Sequence, residues 1–137
     1  MTAAAVFSIA NMSVMPMWLL MVFSPKWKVT RFLMDYKLIP VLLAIVYTIY
    51  IVDSISSGGG MDFSSLESVM ALFTKEDAVL AGWLHYLAFD LLVGMWMLKQ
   101  NQSVKIHGLL MAPCLFFTFM LGPFGFLLFT IIKSLKK

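Results

Sequence analysis

Long unbroken apolar blocks run through the chain, at about Ala3–Phe23, Leu38–Val52, Ala78–Leu98 and Gly108–Ile132, in place of the one-sided stripes of a soluble protein. A helix needs about 20 residues to cross about 30 Å of hydrocarbon at 1.5 Å per residue. The first, third and fourth blocks reach that length unaided. The second reaches it when extended back through Tyr36, which puts Pro40 in the first turn, where a missing N–H costs little. The pattern predicts an all-α integral membrane bundle of four transmembrane helices, a single domain over 1–137 with spans at about 3–23, 36–53, 77–98 and 107–132. Met1–Val22 has no charged side chain, contains Pro16 and ends without a small-residue cleavage site, so it is expected to be a retained helix rather than a secretory signal.

The segments between the blocks differ in charge. Ser24–Lys37 carries Lys26, Lys28, Arg31 and Lys37 against Asp35 alone. The stretch 54–76 opens on the Ser56–Gly60 breaker and is acidic. Within it Phe63, Leu66, Val69, Met70 and Phe73 recur near a 3.6-residue period, which predicts an interfacial helix. With the basic loop inside, four spans put both termini outside and six of the ten Lys and Arg inside, namely the four above plus Lys99 and Lys105. Lys133, Lys136 and Lys137 then fall on the unfavourable side. A re-entrant fourth segment turning at Gly122-Pro123-Phe124-Gly125 would bring them back inside. Its arms would be too short to cross, and irregular backbone exposed to lipid is costly, so four full spans are the expectation.

Composition sharpens this picture. The chain is 61% hydrophobic and 12% charged, where soluble domains are about 45–50% apolar and about 25% charged. The net charge of +3 reads as topology and headgroup contact, not as a nucleic-acid footprint. Cys114 is the only cysteine, which excludes an internal disulfide and a Cys-x-x-Cys metal site. His85 and His107 are the only histidines, without metal-ligand spacing, so neither metal nor cofactor is expected. Phosphate-loop, nucleophile-elbow and dinucleotide motifs are missing as well. Membrane lipid is the expected partner.

Polar groups inside apolar spans are therefore the informative positions, because an ionisable side chain at mid-membrane costs about 2.5 kcal/mol or more. Asp90 lies thirteen residues after Asp77 and nine before Lys99, near the middle of the third span. Trp83, Tyr86, Asp90 and Gly94 follow 3-4-4 spacing and share one stripe, so Tyr86 and Asp90 can touch as an i, i+4 pair. His85 lies about 140° round the helix from Asp90 at 100° per residue, on a neighbouring face with Phe89 and Leu92. In the other spans Asn11 is the natural uncharged partner for this cluster, Thr118 and Pro123 bound a bend that could shape a pocket, and Gly94 permits close approach. Two readings stay open. Asp90 could bond Asn11 or a backbone carbonyl and join helices, or the carboxyl, imidazole and phenol could serve proton transfer in an apolar site.

The run Trp83-Leu84-His85-Tyr86-Leu87-Ala88-Phe89-Asp90-Leu91, followed by Pro113-Cys114-Leu115 and Gly122-Pro123-Phe124-Gly125, resembles the neoxanthin-synthase-like family, the abscisic-acid-deficient-four proteins of plants and their bacterial and algal relatives. Asn11, Pro16, Pro25 and Thr30 resemble the family's first helix and loop, so the similarity spans nearly the whole chain. Met95 departs from the pattern by standing where many relatives carry Arg, which argues against an identical substrate. The resemblance implies a small multi-helix membrane protein of carotenoid metabolism that isomerises a carotenoid epoxide to an allenic alcohol without net redox change. His85 and Asp90 are then the implied acid–base residues. Asn11, Trp83, Tyr86, Gly94, Thr118 and Pro123 become the expected substrate-binding set. A pigment- or lipid-binding accessory protein is the alternative. The implied location is a bacterial inner membrane or a photosynthetic membrane, with a carotenoid-like molecule and a second copy of the chain as further partners.

Overall fold

The computed structural model describes residues 1–136, which form helices joined by turns and loops, with no strand among the described residues. The helices are α1 (Ala3–Phe23), α2 (Lys28–Asp35), α3 (Leu38–Ser56), α4 (Leu66–Leu72), α5 (Glu76–Val104) and α6 (Gly108–Leu135). Local chemistry sets their ends. Thr2 Oγ1 accepts from the Ala5 N–H at 3.2 Å and caps α1, and Ser65 Oγ does the same for α4 through the Ser68 N–H at 3.1 Å. Glu76 and Asp77 sit in the first turn of α5, where the helix dipole favours negative charge. Lys37 and Lys105 take left-handed backbone, at φ 49° and 58°, and make the sharp entries into α3 and towards α6. In the acidic loop Asp62 accepts from the Ser64 N–H at 2.9 Å, and its bonds to serines hold the carboxyl below the usual carboxylate range.

Helix α5 is the axis of the molecule, packed against α1, α3 and α6. Fully buried Val14, Met17 and Met21 of α1 meet Leu84, Leu91 and Met97 of α5 and Cys114, Leu115 and Phe129 of α6. The outward faces are just as apolar, with Phe7, Met12, Leu19, Leu42, Ile45, Ile49 and Phe116 among the large exposed side chains. A surface so continuously greasy is compatible with contact with lipid.

Three helical stretches are long and apolar enough to cross a membrane: Ala3–Phe23, Lys28–Ser56 and Glu76–Val104. The block expected as a fourth span is not one continuous helix of that length. At Leu121 the backbone leaves helical geometry (φ −142°, ψ 67°) and divides α6 into Gly108–Met120 and Gly122–Leu135. The contacts of the two arms with α5 run in opposite directions. Going in, Thr118 reaches Met97, and Met120 reaches Tyr86. Coming back, Trp96 meets Phe126 and Phe129, Lys133 meets Gln100 and Lys136 meets Lys105. A Cβ on Gly125 would collide with the Thr118 backbone, a contact only a folded-back helix can make. Each arm is about 20 Å long, so α6 is a helical hairpin whose two ends lie at the same end of the molecule.

Where the chain doubles back, a side chain of α5 serves the freed carbonyl. One residue leaves the helix, and the Met120 carbonyl it frees accepts the Tyr86 hydroxyl at 2.9 Å, so the irregular backbone is served by protein. Charge then sorts cleanly. Lys26, Lys28, Arg31, Lys37, Lys99, Lys105, Lys133 and Lys136 gather at the hairpin's open end, and Lys75 alone of the described cations lies at the other. Asp53, Asp62, Glu67, Glu76 and Asp77 occupy that opposite end.

Candidate functional site

The polar stripe predicted on α5 is present and reads along the helix axis. Near the start of the stripe, Trp83 Nε1 donates to Asn11 Oδ1 of α1 at 2.9 Å, and its ring stacks on Tyr86 at 5.3 Å between centroids. One turn on, Tyr86 bonds the Met120 carbonyl. A further turn on, Asp90 lies against the hairpin turn, and its Oδ2 is buried with no hydrogen-bond partner.

That carboxyl meets the start of a helix. A Cβ on Gly122 would overlap Asp90 Oδ1, so only glycine lets the returning arm come this close. Gly122 opens that arm, whose first N–H groups have no partner within the helix and carry its positive dipole end. Pro123 follows in the arm's first turn, where the N–H it lacks would have been unpaired anyway. Carboxyl, a phenol bonded to a main-chain carbonyl, and a half-helix N-terminus therefore converge where α6 turns. Such a group of donors and acceptors, set in apolar surroundings, can hold a polar atom of an otherwise greasy molecule and pass it a proton.

The other predicted residues fall elsewhere. Gly94 lets α1 approach α5, since a Cβ there would lie 2.7 Å from Trp18 Cη2 and 2.9 Å from Met21 Cε. Thr118 is fully buried, donates to the Cys114 carbonyl at 2.7 Å and reaches Met97 Sδ at 3.4 Å, so it braces the ingoing arm. His85 is not brought to Asp90. It stacks on Phe89 at 4.7 Å and faces Tyr47 of α3 at 5.8 Å. It lines a separate cleft of about 330 Å³ with Tyr50, Phe63, Phe73 and Asp77, and Asp90 is not among the residues of that cleft. The shared acid–base cavity implied for His85 and Asp90 is thus not formed, for the reason the helical wheel already holds: the two side chains leave α5 in different directions. Among the described residues no group of three His, Cys, Asp or Glu is placed to hold a metal ion.

Sequence reasoning did not foresee the Met120 carbonyl as Tyr86's partner or the cleft at the basic end. The Gly122-Pro123-Phe124-Gly125 run carried a signal for the first, and the cation clustering around the loops carried one for the second.

A family model described as ABA DEFICIENT 4-like matches residues 5–129, from the first turn of α1 to the middle of the returning arm. The chain belongs to the ABA DEFICIENT 4-like family. No curated protein and no solved structure matches it. Membership of the ABA DEFICIENT 4-like family implies a role connected with carotenoid metabolism, and the matched range contains Asn11, Trp83, Tyr86, Asp90, Gly122 and Pro123.

Proposed function

We propose that the chain is a multi-pass membrane protein that isomerises a carotenoid-type epoxide by proton transfer at Asp90, taking its substrate sideways from the bilayer. The observation that carries this reading is the buried Asp90 oxygen without a partner at the hairpin turn. In such an isomerisation the carboxyl, in its protonated form, gives a proton to the epoxide oxygen as one C–O bond breaks. Its other oxygen takes the proton lost by the adjoining polyene carbon as the new double bond forms. The acid is regenerated and no electrons are exchanged. The stacked rings of Trp83 and Tyr86 supply a flat apolar wall for the cyclic end of the polyene, and Tyr86 holds the turn in place.

A second reading, that the protein holds a polyene without altering it, is favoured by the position of His85. The aromatic cleft it lines is lipid-like in character and lies apart from Asp90.

One experiment separates the two. Wild type and Asp90→Asn, reconstituted in vesicles containing a carotenoid epoxide, are extracted and the pigments resolved. The isomerase reading predicts a product of unchanged mass from wild type and a loss of at least about a hundredfold in the variant, the usual scale of a proton-transfer group. Equal conversion by both would contradict it. Retention of unaltered pigment by both supports the binding reading.

A further inference from the structure

The end of the molecule that gathers the cations also carries a cleft of about 780 Å³. Its rim is built from three separate segments: Lys26 from the turn after α1, Arg31 from α2 and Lys105 from the turn before α6. Three like charges facing one hollow repel one another unless an anion sits between them. Asp35, the one Asp or Glu at this end, borders an adjoining groove that Lys26 and Arg31 also line, and it does not line the hollow itself. Gly108, the first residue of α6, also lines the cleft, and open space lies over it where a side chain would be. The start of α6 is already capped, since His107 Nδ1 accepts from the Leu109 N–H at 3.2 Å and the His107 carbonyl accepts from the Leu110 and Met111 N–H groups, so the three cations supply the anion-binding end.

The deeper wall has a different chemistry. Met21, Leu98, Met111 and Leu115 continue the cleft as an apolar surface. The site is therefore amphiphilic, basic at the mouth and greasy beneath. Trp27 and Tyr36, both exposed at this end, are the residues that settle at headgroup level.

We infer that this cleft binds an anionic phospholipid, its phosphate among Lys26, Arg31 and Lys105 and its acyl chains along the apolar wall. The inference rests on the membrane placement proposed above. Free phosphate shares the headgroup's chemistry but would leave the apolar wall unused.

The test uses the full chain purified in a neutral detergent and offered phosphatidylglycerol and phosphatidylcholine together, with retained lipid weighed by native mass spectrometry. Wild type is expected to keep phosphatidylglycerol in preference to phosphatidylcholine. The Lys26→Gln, Arg31→Gln double variant should bind it about thirtyfold more weakly, the equivalent of ~1 kcal/mol for each cation removed from an anionic surface. Lys28→Gln with Lys99→Gln removes the same charge outside the cleft and should retain the lipid. Should the first double variant fail to fold, Lys105→Asn keeps a residue that tolerates the left-handed turn and should weaken binding about fivefold. No preference for the anionic lipid, or an equal loss in the Lys28, Lys99 control, would overturn the inference. Displacement of the lipid by inorganic phosphate would replace it with a free-anion site. Membrane placement is read separately: if alkaline washing releases the chain from membranes, that reading falls whatever lipid is retained.

Discussion

The phenol of Tyr86 and the carbonyl of Met120 are 34 positions apart in sequence and 2.9 Å apart in space. Tyr86→Phe leaves that carbonyl bare in apolar surroundings, so it is expected to lower stability by about 1–3 kcal/mol, measured as a fall in the unfolding midpoint in detergent. An unchanged midpoint would mean that water or another donor serves the turn. The Trp83–Asn11 bond is a milder case. A double-mutant cycle of Trp83→Phe and Asn11→Leu should give a coupling of about 0.6 kcal/mol and no more than about 1.7 kcal/mol, the range for hydrogen bonds between membrane helices. These residue-scale contacts were partly legible. The 3-4-4 spacing of Trp83, Tyr86 and Asp90 fixes their common stripe, and the 140° offset of His85 holds it off that stripe. What spacing within one helix cannot supply is the partner on another, so the role of Met120 was hidden.

For the elements, apolar run length is a good guide wherever a helix stays straight. α1 and α5 are each marked by a block of the right length, α3 by a shorter block that needs extension, and the 3.6 period in the acidic loop marks the place of α4. Run length says nothing about direction, and here α6 departs from expectation. Its 108–132 block counts as one long apolar stretch, yet Leu121 turns it back on itself. The cost of irregular backbone in lipid falls where protein serves the freed groups, and α5 supplies the phenol that bonds the Met120 carbonyl. Two glycines make the geometry possible. Gly125→Ala pushes a methyl into the Thr118 backbone, and Gly122→Ala pushes one into the Asp90 carboxyl. Overpacking of this kind costs about 1–3 kcal/mol. Gly125→Ala should lower the unfolding midpoint, because the collision is with main chain. Gly122→Ala should instead move Asp90 and impair pigment conversion with a smaller loss of stability. A reversed ranking would contradict the assigned roles.

Across the whole molecule, the hairpin and the charge pattern explain each other. Four full spans would strand the C-terminal lysines opposite the basic loop, whereas three candidate spans and a returning hairpin bring eight of the nine described cations (all but Lys75) to one end. The same arrangement brings the turn of α6 against Asp90 part-way along α5, with Met120, Leu121 and Phe124 facing outward, and sets the basic cleft at the hairpin's open end. The proposed chemistry and the lipid site both depend on this topology. It is tested most directly by membrane-impermeant thiol labelling of single cysteines at Lys28, Ser57 and Ser134, all exposed, in sealed vesicles where the native Cys114 is buried and silent. The hairpin predicts that the cysteines at Lys28 and Ser134 label together from one side and that the one at Ser57 labels from the other. Labelling of Ser134→Cys together with Ser57→Cys, opposite Lys28→Cys, would restore a fourth span and contradict the account.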